Sequence, residues 1–337
     1  MRTLPRWTWH AGGWSLLLAM LLLAFSVGQF PVRPAALLHA FGWQLFGIGE
    51  PSAPAVQAAL WHIRLPRVLA AMLIGAVLSA AGAAYQAMFR NPLVSPDILG
   101  VSAGAGLGAS LGLFLGLPML LVQGIAFAGG LGAVGLVCLV AALVRRHDPV
   151  LVLVLAGVAV SALLGAGISL LKLLADPYTQ LPSITFWLLG GLNAVVIDDL
   201  KVTAPLLLIG LVPLVLLRWR VNLLGLGDEE ASALGVAVTP LRWTLIAAAT
   251  LCTAAAVSLA GIIGWVGLVV PHIARLLVGA DFRRLLPASL LLGASFLLAA
   301  DTLARTLAPI ELPLGILTAF VGVPCFLLVL ARSERRP

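Results

Sequence analysis

Ten apolar runs follow one another along this chain, and no stretch between them is long enough to form a soluble domain. They are Trp14 to Phe25, Val68 to Met88, a glycine-rich run that starts near Ser95, Met119 to Val144, Val150 to Ala175, Val202 to Leu217, Leu241 to Leu259, Ile262 to Leu277, Leu285 to Ala304 and Leu312 to Leu330. A bilayer core takes roughly 20 apolar residues per helix, so runs of this kind are read as membrane spans. Composition agrees: 61% of the residues are apolar and 10% charged, against about 25% charged in a soluble domain. The expected fold is all-α and polytopic, one transmembrane domain over 1–337 with about ten helices. Cys138, Cys252 and Cys325 are odd in number and lie in apolar runs, which argues for packing and against a disulfide framework.

The stretch from Arg64 to Ala109 carries the most information. It predicts an apolar helix from Val68 to Met88, a break at Arg90-Asn91-Pro92, and a second helix beginning near Ser95. Pro92 has no N–H to donate and pushes Asn91 out of the helical region, which explains the break. Ser95 as cap, Pro96 at the first helical position and Asp97 on the positive end of the helix dipole explain the restart. Two spans thus meet at a polar elbow.

At the start of the chain, the run from Trp14 resembles a secretory signal, with Ala24-Phe25-Ser26 as a small-x-small site; a retained first span is the expectation, because it sets the charge pattern below. Gln29 to His62, with four prolines and two tryptophans, reads as a loop resting at a membrane surface. Pro182 to Leu192 reads as a short re-entrant or surface helix, and Asp198-Asp199 as a solvated loop pair. Val221 to Pro240 cannot cross a bilayer. Its core, Asp228 to Leu234, predicts a short helix that is acidic at its start and closed by Gly235, with Ala231 and Leu234 on one face.

Basic residues orient the spans. With a cytoplasmic N-terminus, Arg2, Arg6, Arg90, Arg145, Arg146, Arg218, Arg220, Arg242, Arg275, Arg283, Arg284, Arg332, Arg335 and Arg336 fall on one side, and Arg33, Arg64, Arg67, Lys172, Lys201 and Arg305 on the other. The positive-inside rule then places both termini, the Arg90 elbow and the Asp228 helix in the cytoplasm. Topology accounts for the net charge of +7, so the charge gives no reason to expect a nucleic-acid partner.

Three features invite a chemical reading. Gly100-Val101-Ser102-Ala103-Gly104 matches the G-x-S-x-G of hydrolases, but its flanks are apolar and helical, and Gly100, Gly104 and Gly108 recur at the spacing of close helix packing. His272 follows Pro271 inside a span, where a proline kink and a hydrogen-bonded histidine are expected. Asp301, a carboxylate within a span, calls for a position near the span's end or a pairing with Arg305 one turn on. A serine hydrolase would rest on Ser102 and His272, and a proton-coupled transporter on Asp301. No G-x-x-x-x-G-K-[ST] occurs, so any ATP-driven motor belongs to another polypeptide.

Six ordered blocks, RLPR from Arg64, Gln86 with FRNPLVSPDILGVSAGA, GDEEASALG, GIIGWVGLVVPHIAR, DTLAR from Asp301 and ELPLGILTAFVGVPCF from Glu311, closely resemble the FecCD family. These are permease subunits of type II ATP-binding cassette importers. The resemblance covers nearly the whole chain from Trp61. It implies a homodimer around one translocation path in a bacterial inner membrane, two cytoplasmic ATPase subunits that hold ATP and magnesium, and a periplasmic binding protein that selects the substrate. No cofactor or metal is implied in this chain. Docking of the binding protein is carried over to Arg64, Arg67 and Arg305, the inner gate to Asn91 and Leu93, and ATPase coupling to Gly227, Glu230, Ala231, Leu234 and Gly235 within a coupling helix at about 227–235. Arg64 and Arg67, three apart, can both face outward and offer forks to carboxylates. The pore wall is expected from the second, fifth and tenth spans and around Asp176 to Leu192. Metal chelates (iron–siderophore, haem or cobalamin) are the expected cargo, with an oxyanion such as molybdate as the alternative.

Overall fold

The computed structural model describes residues 6–28, 30–144 and 149–333, and every regular element among them is helical. Arg2, Arg145, Arg146, Arg335 and Arg336, used above for orientation, lie outside the described residues. In chain order the helices are α1 (Arg6–Ser26), α2 (Pro34–Phe46), α3 (Pro54–Gln57), α4 (Leu65–Met88), α5 (Val101–Phe114), α6 (Met119–Leu143), α7 (Pro149–Leu174), α8 (Gln180–Leu189), α9 (Ile197–Leu216), α10 (Arg218–Leu224), α11 (Asp228–Ala233), α12 (Val238–Ala260), α13 (Val266–Val278), α14 (Phe282–Ala304) and α15 (Leu314–Ser333). Seven segments are long and apolar enough to cross a bilayer: α1, α3 continuing into α4, α6, α7, α9, α12 and α14. With the shorter apolar helices α5, α13 and α15 they account for the ten expected spans.

Helices α4, α12 and α14 form the centre, sheathed by the others, whereas α6, α7 and α9 turn leucines such as Leu139, Leu155 and Leu208 outward. Close approach at the centre depends on glycine pairs. A Cβ on Gly75 would lie 2.2 Å from the Gly293 carbonyl oxygen and the reverse substitution would clash equally, so α4 and α14 touch backbone to backbone. Gly104 and Gly108 play the same part between α5 and α6, where a Cβ would meet the carbonyl oxygens of Gly129 and Ile125 at 2.3 and 2.4 Å. The packing reading of that block therefore holds for two of its three glycines.

The structure departs from the sequence reading at several joints. The segment expected as a surface loop contains α2 and α3, and a π-helical turn at Ala58–Arg64 runs it directly into α4. Proline at the first position starts each of those helices. After the elbow, Pro96–Leu99 form a 3₁₀ turn and the α-helix begins only at Val101, because Gly100 takes φ 79. Ser95 makes no side-chain cap, and the Asp97 carboxylate accepts the Ser102 hydroxyl instead of serving the helix end. Asp198 and Asp199 lie in the first turn of α9 rather than a loop, where Asp199 accepts from the Val196 N–H at 3.0 Å. The short helix expected from Pro182 starts earlier, at Gln180.

Candidate functional site

Helix α4, about 36 Å long at 1.5 Å per residue, has a charged assembly at each end. At its first turn Arg67 donates from Nε to Asp301 Oδ1 at 2.7 Å and from Nη1 to both Glu311 oxygens at 2.9 Å. Arg305 donates from Nε to Asp301 Oδ2 at 3.1 Å and from Nη2 to the Ala24 carbonyl at 3.2 Å. Arg64, aimed inward by the π-helical turn, donates to the carbonyls of Phe25 and Phe30. Asp301 is 0% exposed, and each of the three arginines is under a tenth exposed. The expected Asp301–Arg305 pair is present, with Arg67 added from 234 residues away. The outward-facing forks expected of Arg64 and Arg67 are not: in this chain their charges are already bonded and turned into the fold. Glu311, whose side chain is 37% exposed, is the open member of the group. It and Arg67 border a cavity of about 410 Å³ that also takes in Gln123, Ser183, Asn193 and Asp199.

The other end of α4 closes in a Schellman motif. The Asn91 N–H donates to the Gln86 carbonyl at 3.1 Å and the Arg90 N–H to the Ala87 carbonyl at 3.3 Å. The residue that must turn left-handed in this motif is Arg90, at φ 51, where glycine is usual. Pro92 then prevents any continuation. Asn91 and Leu93 follow, both exposed, with the Leu93 N–H held by Asn91 Oδ1 at 2.9 Å. Gln86, wholly buried, anchors this elbow to α13 through the Leu268 carbonyl at 3.0 Å and a contact from Arg275 at 3.4 Å. Ser102 donates to Asp97, and the His272 Nδ1 is buried without a partner, so no Ser–His pair is formed.

Helix α11 lies beside the elbow. It spans only Asp228–Ala233, with Gly227 at φ 133 before it and Gly235 at φ 81 after it. Gly235 closes a second Schellman motif, the Val236 N–H donating to the Ala231 carbonyl at 3.0 Å and the Gly235 N–H to Ser232 at 2.9 Å. Ala231 is fully buried and Leu234 is 60% exposed, so the single shared face expected for them does not exist. Arg242 on α12 holds both Asp228 oxygens at 3.0 and 3.1 Å. Arg90 reaches the same carboxylate at 3.6 Å, which links the elbow to α11; nothing in the sequence pattern announced this contact. Among the described residues no group of three or more His, Cys, Asp or Glu side chains is placed to hold a metal.

A polytopic helical bundle with a polar elbow tied to a short exposed helix is the build of a transport permease. The sequence profile of the FecCD transport family matches residues 16–332, and the chain belongs to that family. It is 42% identical to the hemin transport system permease protein HmuU of Yersinia pestis, over 82% of this chain and 86% of that one. It is 40% identical to the molybdate import system permease protein MolB of Haemophilus influenzae, over 84% and 83%. A solved structure described as an inward-facing conformation of a metal-chelate type ABC transporter superposes with a TM-score of 0.85 at 35% identity, covering 95% of this chain and 98% of its own. The chain is thus a multi-pass permease subunit of an ABC importer.

Proposed function

We propose that two copies of this chain enclose a path through a bacterial inner membrane, with both termini in the cytoplasm, and admit a metal chelate selected by a periplasmic binding protein. Two ATPase subunits, carrying ATP and magnesium, act through α11, and Asn91 and Leu93 form the inner gate. The observation that carries this reading is the contact of Arg90 with Asp228, because it joins a short acidic helix to the residue that precedes Asn91 in the elbow. A nucleotide-driven shift of α11 then changes the elbow directly, as a ligand must by differing in affinity for the two states.

The path wall fits a permease that selects little. A groove of about 660 Å³ is lined by Leu188 and Leu189 of α8, Ile262, and Ile316, Ala319 and Phe320 of α15, nearly all apolar. Helices α4 and α7, the second and fifth spans expected on this wall, contribute no residue to the groove. Hemin transport by one relative and the metal-chelate description of the structural neighbour favour a chelate; the molybdate relative keeps an oxyanion as the second reading. Chemistry on the cargo is not part of this function. In vesicles containing the permease, its ATPase and the binding protein, uptake of the chelate should require ATP, and a proton gradient alone should drive none. Gradient-driven uptake would overturn the reading and point to Asp301 as a proton carrier.

The Arg64, Arg67 and Arg305 end is the proposed docking site for the binding protein, with Glu311 as its accessible edge. Because the arginines are buried, an arriving carboxylate has to compete with Glu311 for the Arg67 fork.

A further inference from the structure

Where α1 passes the start of α14, an open pocket of about 200 Å³ is lined by Trp9, His10, Arg218, Arg283, Arg284 and Asp281. Three guanidinium groups share it with one carboxylate, and that carboxylate is already engaged. Asp281 accepts from Asn222 Nδ2 at 2.7 Å and from the Arg283 N–H at 3.0 Å. Burial pushes its pKa up, but these bonds and the charges of Arg283 and Arg284 outweigh that and hold it below the usual carboxylate range. Arg283 lies over the exposed Trp219 ring, 5.3 Å from its centroid, an aromatic pairing suited to the headgroup level of a membrane.

Two N–H groups on residues that line this pocket are buried without an acceptor: the Trp9 indole Nε1 and Arg284 Nε. Trp9 is only 9% exposed, so water does not readily replace the missing partner. Buried donors are almost always satisfied, and an unsatisfied pair beside surplus positive charge marks a place for an anion. Trp9 also borders an apolar slot of about 250 Å³ between α1, α13 and α14, walled by Gly12, Gly13, Leu16, Leu277, Leu291 and Leu292. A Cβ on Gly12 would meet nothing within 4 Å, so the slot has room along that helix face.

We propose that this is a binding site for an anionic phospholipid. Its phosphate accepts from Trp9 and Arg284 and is balanced by Arg218 and Arg283, while an acyl chain lies in the slot along the Gly12 face of α1. The adjoining slot decides for a lipid over a free phosphate, which would leave it unfilled. Basic pockets between helices at the membrane surface bind lipid headgroups in this way. Helices α1 and α14 pack directly, and the lipid adds a charged link between them where no ion pair among the described residues does so. Assignment to the cytoplasmic leaflet rests on the orientation proposed above; the site itself does not.

The test uses the full chain, delipidated in mild detergent and titrated with phosphatidylglycerol, phosphatidylcholine or inorganic phosphate, with Trp fluorescence and native mass spectrometry as readouts. Phosphatidylglycerol should bind wild type about tenfold or more tightly than it binds R218Q/R284Q, since each basic residue adds severalfold to anionic-lipid attraction. Phosphatidylcholine should not distinguish the two. G12F, which fills the slot and leaves every arginine in place, should weaken phosphatidylglycerol binding and leave inorganic phosphate binding unchanged. Equal phosphatidylglycerol affinity in wild type and both variants overturns the site. Strong inorganic phosphate binding with G12F indifferent to the lipid overturns the lipid and leaves a simple anion pocket. Transport is not measured, so failure of the permease reading would not mimic either result.

Discussion

Arg67 and Arg90 stand at opposite ends of one helix, and they are held in opposite ways. Arg67 is 6% exposed and makes three charge-assisted bonds to Asp301 and Glu311. Arg90 is 46% exposed, with a single carboxylate 3.6 Å away that Arg242 holds more closely. Water separates the two cases. Where it is excluded, taking away one partner strands a charge in a medium that cannot solvate it; where it has access, the pair is screened and individually weak. The first end is built to keep its shape, whereas the second is built to let go, which suits the docking platform and the moving gate proposed for them.

That contrast can be broken most easily at Asp301. Asp301→Ala leaves Arg67 and Arg305 facing each other without their shared carboxylate and should cost about 3–5 kcal/mol, read as a large drop in the thermal unfolding temperature of the detergent-solubilised chain. The matching change at the other end, Asp228→Ala, should cost less, about 1–3 kcal/mol, because Asp228 is 44% exposed even though its partner Arg242 is not. Similar losses at both ends would dissolve the distinction.

A second, smaller effect belongs to the exposed end. Leu234→Asp should weaken ATPase association by about 2 kcal/mol, the scale of an interface anchor, in a pull-down or co-purification assay, with unfolding unchanged because Leu234 is 60% exposed. Unaltered association would mean that α11 lies on the membrane and receives nothing. At the buried end, Glu311→Gln removes the resident competitor for the Arg67 fork. Binding-protein affinity for the assembled importer should then rise severalfold, and wild-type affinity should fall with added salt. Reversing Arg64 and Arg67 to Glu is a poorer test than their sequence positions suggest, since it would wreck the Asp301 group before it reported on docking. The smallest change in stability is expected for Arg90→Ala, under about 1 kcal/mol, yet it should separate ATP hydrolysis from uptake; intact coupling would show that the elbow is moved by another route.

Local signals were legible wherever a short stretch carries its own cause. The elbow follows from Pro92, the end of α11 from Gly235, and the spans from apolar length alone. The late start of α5 was missed because Gly100 adopts a left-handed conformation that Ser95-Pro96-Asp97 gives no hint of. The helices α2 and α3 were missed because prolines that open a helix look the same in sequence as prolines that belong to a loop.

What the sequence by itself determined is the class of molecule: a helical membrane protein, its spans, its break points and, through the ordered blocks, its family. Apolar run length and proline chemistry act within a few residues, so they need no partner to be read. Only the tertiary structure decided where the charges went. Arg67 meets Asp301 across 234 positions and Glu311 across 244, Arg90 meets Asp228, and Trp9 and Arg284 come together with no acceptor. An ionised side chain carries no preference along the chain for the group that will neutralise it; packing of distant helices selects the partner, and with it whether the charge is locked, free to move, or left waiting for a ligand.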